Sequence, residues 1–259
     1  MAHESPATGE QLISFRRPAD FINGLFPPFV PEYAKAMNCI VTAGPTFEPL
    51  DDVRRLTNFS TGRLGTELAN FLAASGYRVT LLIGEAATYA GERRAQSVKT
   101  FSTTTDLRAK LKSFSGRKVD ALFHAAAVAD FAFGQVFAEE KAGKLVALKA
   151  ARKISTRQGS LLVELVPTPK IIAELRGWFP RARIVGWKFE ADGRRADALR
   201  AAEKQMADCK TDACVANGPA YGRGFGVVVA GGQKQHQATP AGLFAALARC
   251  GARKFQPRN

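Results

Sequence analysis

Arg54 and Asn58 lie four residues apart, just ahead of the run Ser60-Thr61-Gly62, and Lys153 stands alone much later in the chain. None of these needs to act as a nucleophile to do chemistry. A guanidinium can hold a carboxylate or a phosphate, and a neutral amide can donate to a developing oxyanion without titrating. Spacing alone favours the plainer alternative of an Asx turn beside a surface arginine. Ser60-Thr61-Gly62 precedes an apolar-periodic segment. Hydroxyls at an N-cap, a glycine open to close approach and free N–H groups at a helix start suit a phosphate; simple capping would use the same residues. Gly44-Pro45-Thr46 is a second glycine turn, and it too could be an ordinary strand exit. Ala125-Ala126-Ala127-Val128-Ala129 ends an apolar run with small residues, so a planar ligand could lie against the backbone there. Asp130, just beyond, could accept from ribose hydroxyls or hold a metal ion; close strand packing is the alternative. Lys153 could meet a polyphosphate as a point charge, or could simply be solvated.

Positioning such groups requires a scaffold, and the pattern from residue 38 onward supplies one. Cys39–Ala43, Tyr77–Ile83, Val98–Phe101 and Val119–Ala127 are short apolar runs of the kind buried in parallel sheets. Leu64, Leu68, Phe71 and Leu72 recur at helical spacing over 62–75, closed by Gly76. Further helices are predicted over Thr105–Phe114, Lys170–Phe179, about Arg194–Asp208 and from near Pro240, with strands over Ser160–Val166, Ala182–Glu190, Thr211–Ala216 and Phe225–Ala230. This alternation predicts an α/β fold: a Rossmann-like, doubly wound, mainly parallel sheet in three layers. Ligands of such sheets sit at the carboxyl ends of the strands, so loops 44–62 and 125–133 should meet there. An ordinary dinucleotide site would enter its helix directly after the first strand; here a long polar loop intervenes. Residues 1–37, with Pro18, Pro27, Pro28, Pro31 and four phenylalanines, read as an irregular arm, and 38–259 as one domain.

The bulk properties exclude several classes. No apolar run approaches the roughly 20 residues of a membrane-spanning helix, and the start MAHESPATGEQ lacks a secretory pattern, so the expected compartment is the cytoplasm. Cys39, Cys209, Cys214 and Cys250 form no C-x-x-C pair, and His3, His124 and His236 are scattered, so no zinc site is expected. The net charge of +14 attracts anions such as nucleic acid or phosphorylated small molecules. It is spread in pairs (Arg54-Arg55, Arg93-Arg94, Arg152-Lys153, Arg194-Arg195) without interleaved aromatics, which argues against a nucleic-acid platform.

Taken in order, TAGPT-x-EP (42–49), VR-x-x-TN-x-STGR-x-G (53–65), AAAVADF (125–131), KIS (153–155), PTP (167–169), VGWKFEAD (185–192) and DACVAN (212–217) resemble the phosphopantothenoylcysteine synthetase family of coenzyme A biosynthesis, over roughly residues 38–250. The resemblance implies a ligase that joins 4′-phosphopantothenate to L-cysteine, with CTP or ATP as co-substrate and Mg²⁺, through an acyl-nucleotidylate. It implies a homodimer with a shared active site. It assigns Asn58 and Lys153 to catalysis, Asn58 to the intermediate and Lys153 to the triphosphate, and Arg54 to the pantothenate side. Gly44, Ser60, Thr61, Gly62, Ala126, Asp130 and Lys188 fall to the nucleotide. Only a short arm precedes the matching region, so a stand-alone form without the flavodoxin-like decarboxylase, and without flavin, is expected.

The chain departs from the family pattern in two places. Lys204 and Lys210 stand in a different register from the family's lysine pair, and the loop after DACVAN reads GPAYGRGFG. GWKFEAD and NFSTGR look closer to ATP-using eukaryotic members than to CTP-using bacterial ones, without deciding the nucleotide. Two other functions compete: an NAD(P)-dependent short-chain reductase, for which no Tyr-x-x-x-Lys pair is present, and a basic nucleic-acid-binding protein.

Overall fold

A computed structural model describes residues 37–139, 144–149, 152–155, 157 and 159–252. The arm expected over 1–37 lies outside them apart from Met37, as do residues 253–259. The central sheet has eight strands: β1 (Asn38–Ala43), β4 (Arg78–Gly84), β5 (Ser97–Phe101), β6 (Ala121–His124), β10 (Arg183–Phe189), β11 (Ala213–Asn217), β12 (Phe225–Val229) and β13 (Lys234–Gln237). Their order is β13-β12-β11-β10-β6-β1-β4-β5. The six from β5 to β11 are parallel, β12 pairs antiparallel with β11, and β13 antiparallel with β12. Read from β5, the parallel part winds outward from β1 in one direction and then resumes at β6 in the other. That is the doubly wound order of dinucleotide-binding sheets, with its switch point between β1 and β6.

Side chains that alternate along the strands sort into two faces. On β1, Cys39, Val41 and Ala43 pack with Leu68, Ala69 and Leu72 of α1 (Arg63–Ala74) and with Leu243, Phe244 and Leu247 of α5 (Pro240–Ala252). Ile40 faces the other way, onto Leu107 and Leu111 of α2 (Thr104–Lys112) and Ile171 and Leu175 of α3 (Ile171–Trp178). Further along that second face, α4 (Arg195–Cys209) sets Ala198, Ala202 and Met206 against Cys214, Ala216 and Val228. Strands covered on both sides must be apolar throughout, which explains the near-continuous hydrophobic runs of β1 and β4. The three layers predicted from the pattern are present.

Local signals explain the helix ends. The Thr103 hydroxyl accepts from the Asp106 amide at 3.1 Å, and the Asp106 carboxylate accepts from the Ser102 amide at 2.9 Å, closing the first turn of α2. α1 ends at Ala74, and Gly76 takes a φ of 87° just beyond.

Two small sheets escaped the sequence reading. Phe47–Pro49 (β2) and Arg55–Thr57 (β3) pair antiparallel, so the loop after β1 is a hairpin. Phe131–Glu139 (β7) pairs with both Leu145–Ala147 (β8) and Leu161–Pro167 (β9) in an antiparallel three-stranded sheet apart from the main one. The strand expected over Ser160–Val166 therefore exists but belongs to this satellite.

Candidate functional site

The β2–β3 hairpin leaves β1 at the switch point and is pinned there. Pro45 bridges to Ala127, the Thr46 amide donates to the Ala127 carbonyl at 3.1 Å, and the Ala127 amide donates to the Gly44 carbonyl at 3.0 Å. The buried Thr46 hydroxyl accepts from the Ala129 amide at 2.8 Å, and the Thr57 hydroxyl donates to the Thr46 carbonyl at 2.9 Å. Glu48, itself buried, accepts from the Thr104 amide at 2.9 Å, which places a carboxylate at the positive end of α2. These bonds bring loops 44–62 and 125–133 together as expected. At the hairpin's end the Asn58 amide nitrogen donates to the carbonyls of Ala127 and Val128, both at 3.2 Å. The amide is thus aimed by the small-residue strap after β6, and Oδ1 is the atom left out of these bonds.

Beside it α1 begins at a glycine. Gly62 is the N-cap with φ 81° and supplies no side-chain cap, and the first turn contains no acidic residue. The sequence reading placed a hydroxyl at the N-cap; instead Thr61 precedes it, its hydroxyl accepting from the Arg63 amide at 3.3 Å. Gly44 also holds a positive φ, 77°. A Cβ on Gly44 would lie 2.8 Å from the Ala87 Cβ, and one on Gly62 would lie 3.0 Å from the same atom and 3.3 Å from the Gly44 Cα. On the Cβ side of each, these glycines are required by the packing of three chain segments as well as by their backbone angles. Gly65 lets α1 lie on β1, since a Cβ there would approach the Ala43 Cβ to 2.7 Å. The result is a helix N-terminus pressed against the carboxyl end of β1, with amides and dipole suited to an anion.

The far side of the hairpin is tied to the segment carrying Lys153. Asp51 Oδ1 accepts from the amides of Val53 (3.0 Å) and Arg54 (2.8 Å), so the Asx turn weighed for this loop is made by Asp51. Asp51 Oδ2 accepts from the Arg54 guanidinium and from the Ile154 amide at 3.1 Å. Arg54 in turn donates to the Ile154 carbonyl at 2.9 Å, and the Asp52 amide donates to the Arg152 carbonyl at 3.0 Å. The Arg54 guanidinium, followed by the Ile154 amide, holds the Asp51 carboxyl well below the usual carboxylate range, and Asp51 raises the arginine in return. Arg54 is therefore already paired within the protein, although its side chain keeps 41% of its exposure. Lys153 is exposed between the two residues this latch grips.

The remaining expected residues fall around the same end of the sheet. The Ala126 amide donates to the Thr42 hydroxyl at 3.1 Å, and the Asp130 carbonyl accepts from the Thr168 amide at 3.0 Å, with the Asp130 side chain exposed. Lys188, near the end of β10, pairs with Glu190 at 3.1 Å. Beneath the strap lies a residue the sequence reading left unassigned. His124 is buried, its Nδ1 lies 2.9 Å from the Thr42 hydroxyl, and burial pushes its pKa from 6.5 down to about 4. Lys204 and Lys210 do not join the site. α4 carries the chain from the carboxyl end of β10 back to the amino end of β11, and its 15 residues span roughly 22 Å. Lys204 pairs with Asp208 on its surface, and Lys210 caps its far end. Asp212 of the DACVAN segment also serves structure, accepting from Arg176 at 2.6 Å, Arg183 at 3.3 Å and the Ile184 amide at 2.8 Å.

Residues 34–233 match the family described as "DNA/pantothenate metabolism flavoprotein C-terminal domain". The chain belongs to this family. Among curated relatives, the coenzyme A biosynthesis bifunctional protein CoaBC of Thermococcus kodakarensis is 32% identical over 187 residues, covering 72% of this chain and 42% of the relative. The chain thus spans less than half the length of the curated relatives it matches. A crystal structure of the DNA/pantothenate metabolism flavoprotein from Streptococcus pneumoniae superposes with a TM-score of 0.72 at 26% identity, covering 82% of this chain and 97% of the other. A Cab2 variant in complex with phosphopantothenate-cysteine shares the fold, with a TM-score of 0.63 at 20% identity over 83% of this chain and 86% of that one. The resemblance read from the motifs and the Rossmann-like fold are both borne out.

Proposed function

We propose that this chain is a phosphopantothenate–cysteine ligase. A nucleoside triphosphate activates the carboxylate of 4′-phosphopantothenate: the carboxylate oxygen attacks the α-phosphorus, pyrophosphate leaves, and an acyl-nucleotidylate results. The amine of cysteine then attacks the acyl carbon, loses a proton and expels the nucleoside monophosphate, leaving the amide. The observation that carries this reading is the seat of Asn58, whose amide is held by the Ala127 and Val128 carbonyls at the sheet's switch point. α1 starts five residues further along the same loop, at Arg63. The CoaBC relatives and the phosphopantothenate-cysteine complex of the Cab2 variant support the choice of substrates.

In this reading the protein works by placing charge and dipoles. Gly44, Ser60, Thr61 and Gly62 frame the anion site at the start of α1, Lys153 faces the phosphates, and Ala126, Asp130 and Lys188 border the nucleotide. Arg54 can reach the pantothenate side only while remaining bonded to Asp51. With both Asn58 amide hydrogens committed to carbonyls, donation to the tetrahedral oxyanion requires substrate to displace one of them. Mg²⁺ binds in such sites chiefly through substrate phosphates, so in this reading it enters with the triphosphate as part of the substrate. Either CTP or ATP fits this scheme. Cys39, Cys209 and Cys214 are buried thiols, which suits the reducing cytoplasm where we place the enzyme. We further propose a homodimer: Phe131, Leu145, Leu162 and Leu165 of the satellite sheet are exposed, as is Phe59 next to Asn58.

The test is pyrophosphate release with CTP and ATP compared, with phosphopantothenate present and cysteine added or withheld. Asn58→Asp should still form the acyl-nucleotidylate but convert it about 100-fold more slowly, the usual scale for losing one oxyanion donor. Full turnover by that variant would remove Asn58 from the role. No pyrophosphate release from the native protein with either nucleotide would overturn the ligase reading.

A further inference from the structure

The two oxygens of Asp51 do different work. Oδ1 accepts the Val53 and Arg54 amides, which shapes the hairpin tip locally. Oδ2 accepts the Arg54 side chain and the Ile154 amide, 103 residues away in sequence. The side chain has no exposed surface, so water does not compete for these bonds. Arg54 closes the same ring by donating to the Ile154 carbonyl at 2.9 Å. Both backbone polar groups of Ile154 are therefore bound to the Asp51–Arg54 pair. On the other side of Lys153 the Arg152 carbonyl accepts from the Asp52 amide, and the Arg152 guanidinium pairs with Asp52 at 2.8 Å. Lys153 is exposed and flanked on both sides by residues fastened to the hairpin that also carries Asn58.

We propose that Asp51 is the positioning residue of this active site, fixing the Lys153 backbone against the Asn58 hairpin so that the lysine's charge meets the substrate phosphates. Asp51 touches no substrate; it acts through Lys153. A long flexible side chain reaches a point in space reproducibly only when its backbone is held, and a misplacement of about 1 Å can cost on the order of 100-fold in rate. The carboxylate suits the task because it accepts at both oxygens and, paired with a guanidinium, stays ionised across the working pH range. The catalytic part of this proposal rests on the ligase reading; the positioning part does not.

Asp51→Asn separates the two oxygens. The amide oxygen can keep the turn, while the new NH₂ faces donors at the Oδ2 position and breaks the link to Ile154. Hydrogen exchange followed at the Ile154 amide reads the link without any activity. We expect strong protection in the native protein and its loss in Asp51→Asn, with the Cys39–Ala43 amides equally protected in both. An Ile154 amide that exchanges freely in the native protein would overturn the proposal whether or not the chain is a ligase.

Turnover supplies the second reading, from a double-mutant cycle with Lys153→Gln. Asp51→Asn should slow pyrophosphate release about 10- to 100-fold in the native background, yet less than about twofold in the Lys153→Gln background, where nothing remains to position. Equal effects in both backgrounds would show that Asp51 does not act through Lys153. A native protein that protects Ile154 but releases no pyrophosphate would leave the positioning intact and remove the ligase reading.

Discussion

Among the described residues His124 is the one histidine built into the core, and it makes the protein acid-sensitive in a defined window. Unfolded, its imidazole takes up a proton near pH 6.5; folded, burial delays this to about pH 4. Between those values only the unfolded state gains by protonation. The stability held in the neutral ring is therefore complete above about pH 6.5 and is lost progressively as pH falls toward 4, by about 3 kcal/mol in all. Thermal unfolding of His124→Gln should show a flatter decline over that range than the native chain, and parallel curves would refute the assignment. Residues such as Asn58, Gly62 and Lys153 could be proposed from the sequence because their motifs stand in a fixed order in the chain. His124 was not, since one histidine at the end of an apolar run does not show whether its ring faces core or solvent. Asp51 was missed for a related reason. Asp in a polar loop signals a turn, and the second half of its work involves a segment far away in sequence.

Elements were read best where burial on both faces leaves an apolar run. β1, β4, β6, β10 and β11 all lie within or close to their expected spans, and α1 begins one residue after the predicted start. β7 was missed because small residues at Ala132, Gly134 and Ala138 interrupt the bulky ones at Phe131, Phe133 and Phe137, and because the strand starts where the site motif ends. β2 and β3 are three residues each, too short for any periodicity to show. The seating of α1 on β1 yields a prediction of its own. Gly65→Ala improves intrinsic helix propensity by up to about 1 kcal/mol, yet its methyl would meet Ala43 at 2.7 Å. The helix must then shift off the strand, so thermal unfolding should report a net loss of about 1–3 kcal/mol. An unchanged or raised melting temperature would mean that the contact relaxes freely.

For the molecule as a whole, the exposed leucines and phenylalanines among the described residues lie on the satellite sheet and the Asn58 loop, apart from Phe189 at the carboxyl end of β10. If two copies bury them against each other, the native protein sediments as a dimer at micromolar concentration, and Leu165→Glu sediments as a monomer with unchanged circular dichroism. A native monomer under those conditions would contradict a shared site. The link from Asp51 to Ile154 also bears on how the chain reaches this state. Closing it brings together residues 103 apart in sequence, an entropic cost repaid only after the intervening strands have formed. During refolding, the spectroscopic signature of the central sheet should accordingly return first, and nucleotide-dependent turnover afterwards.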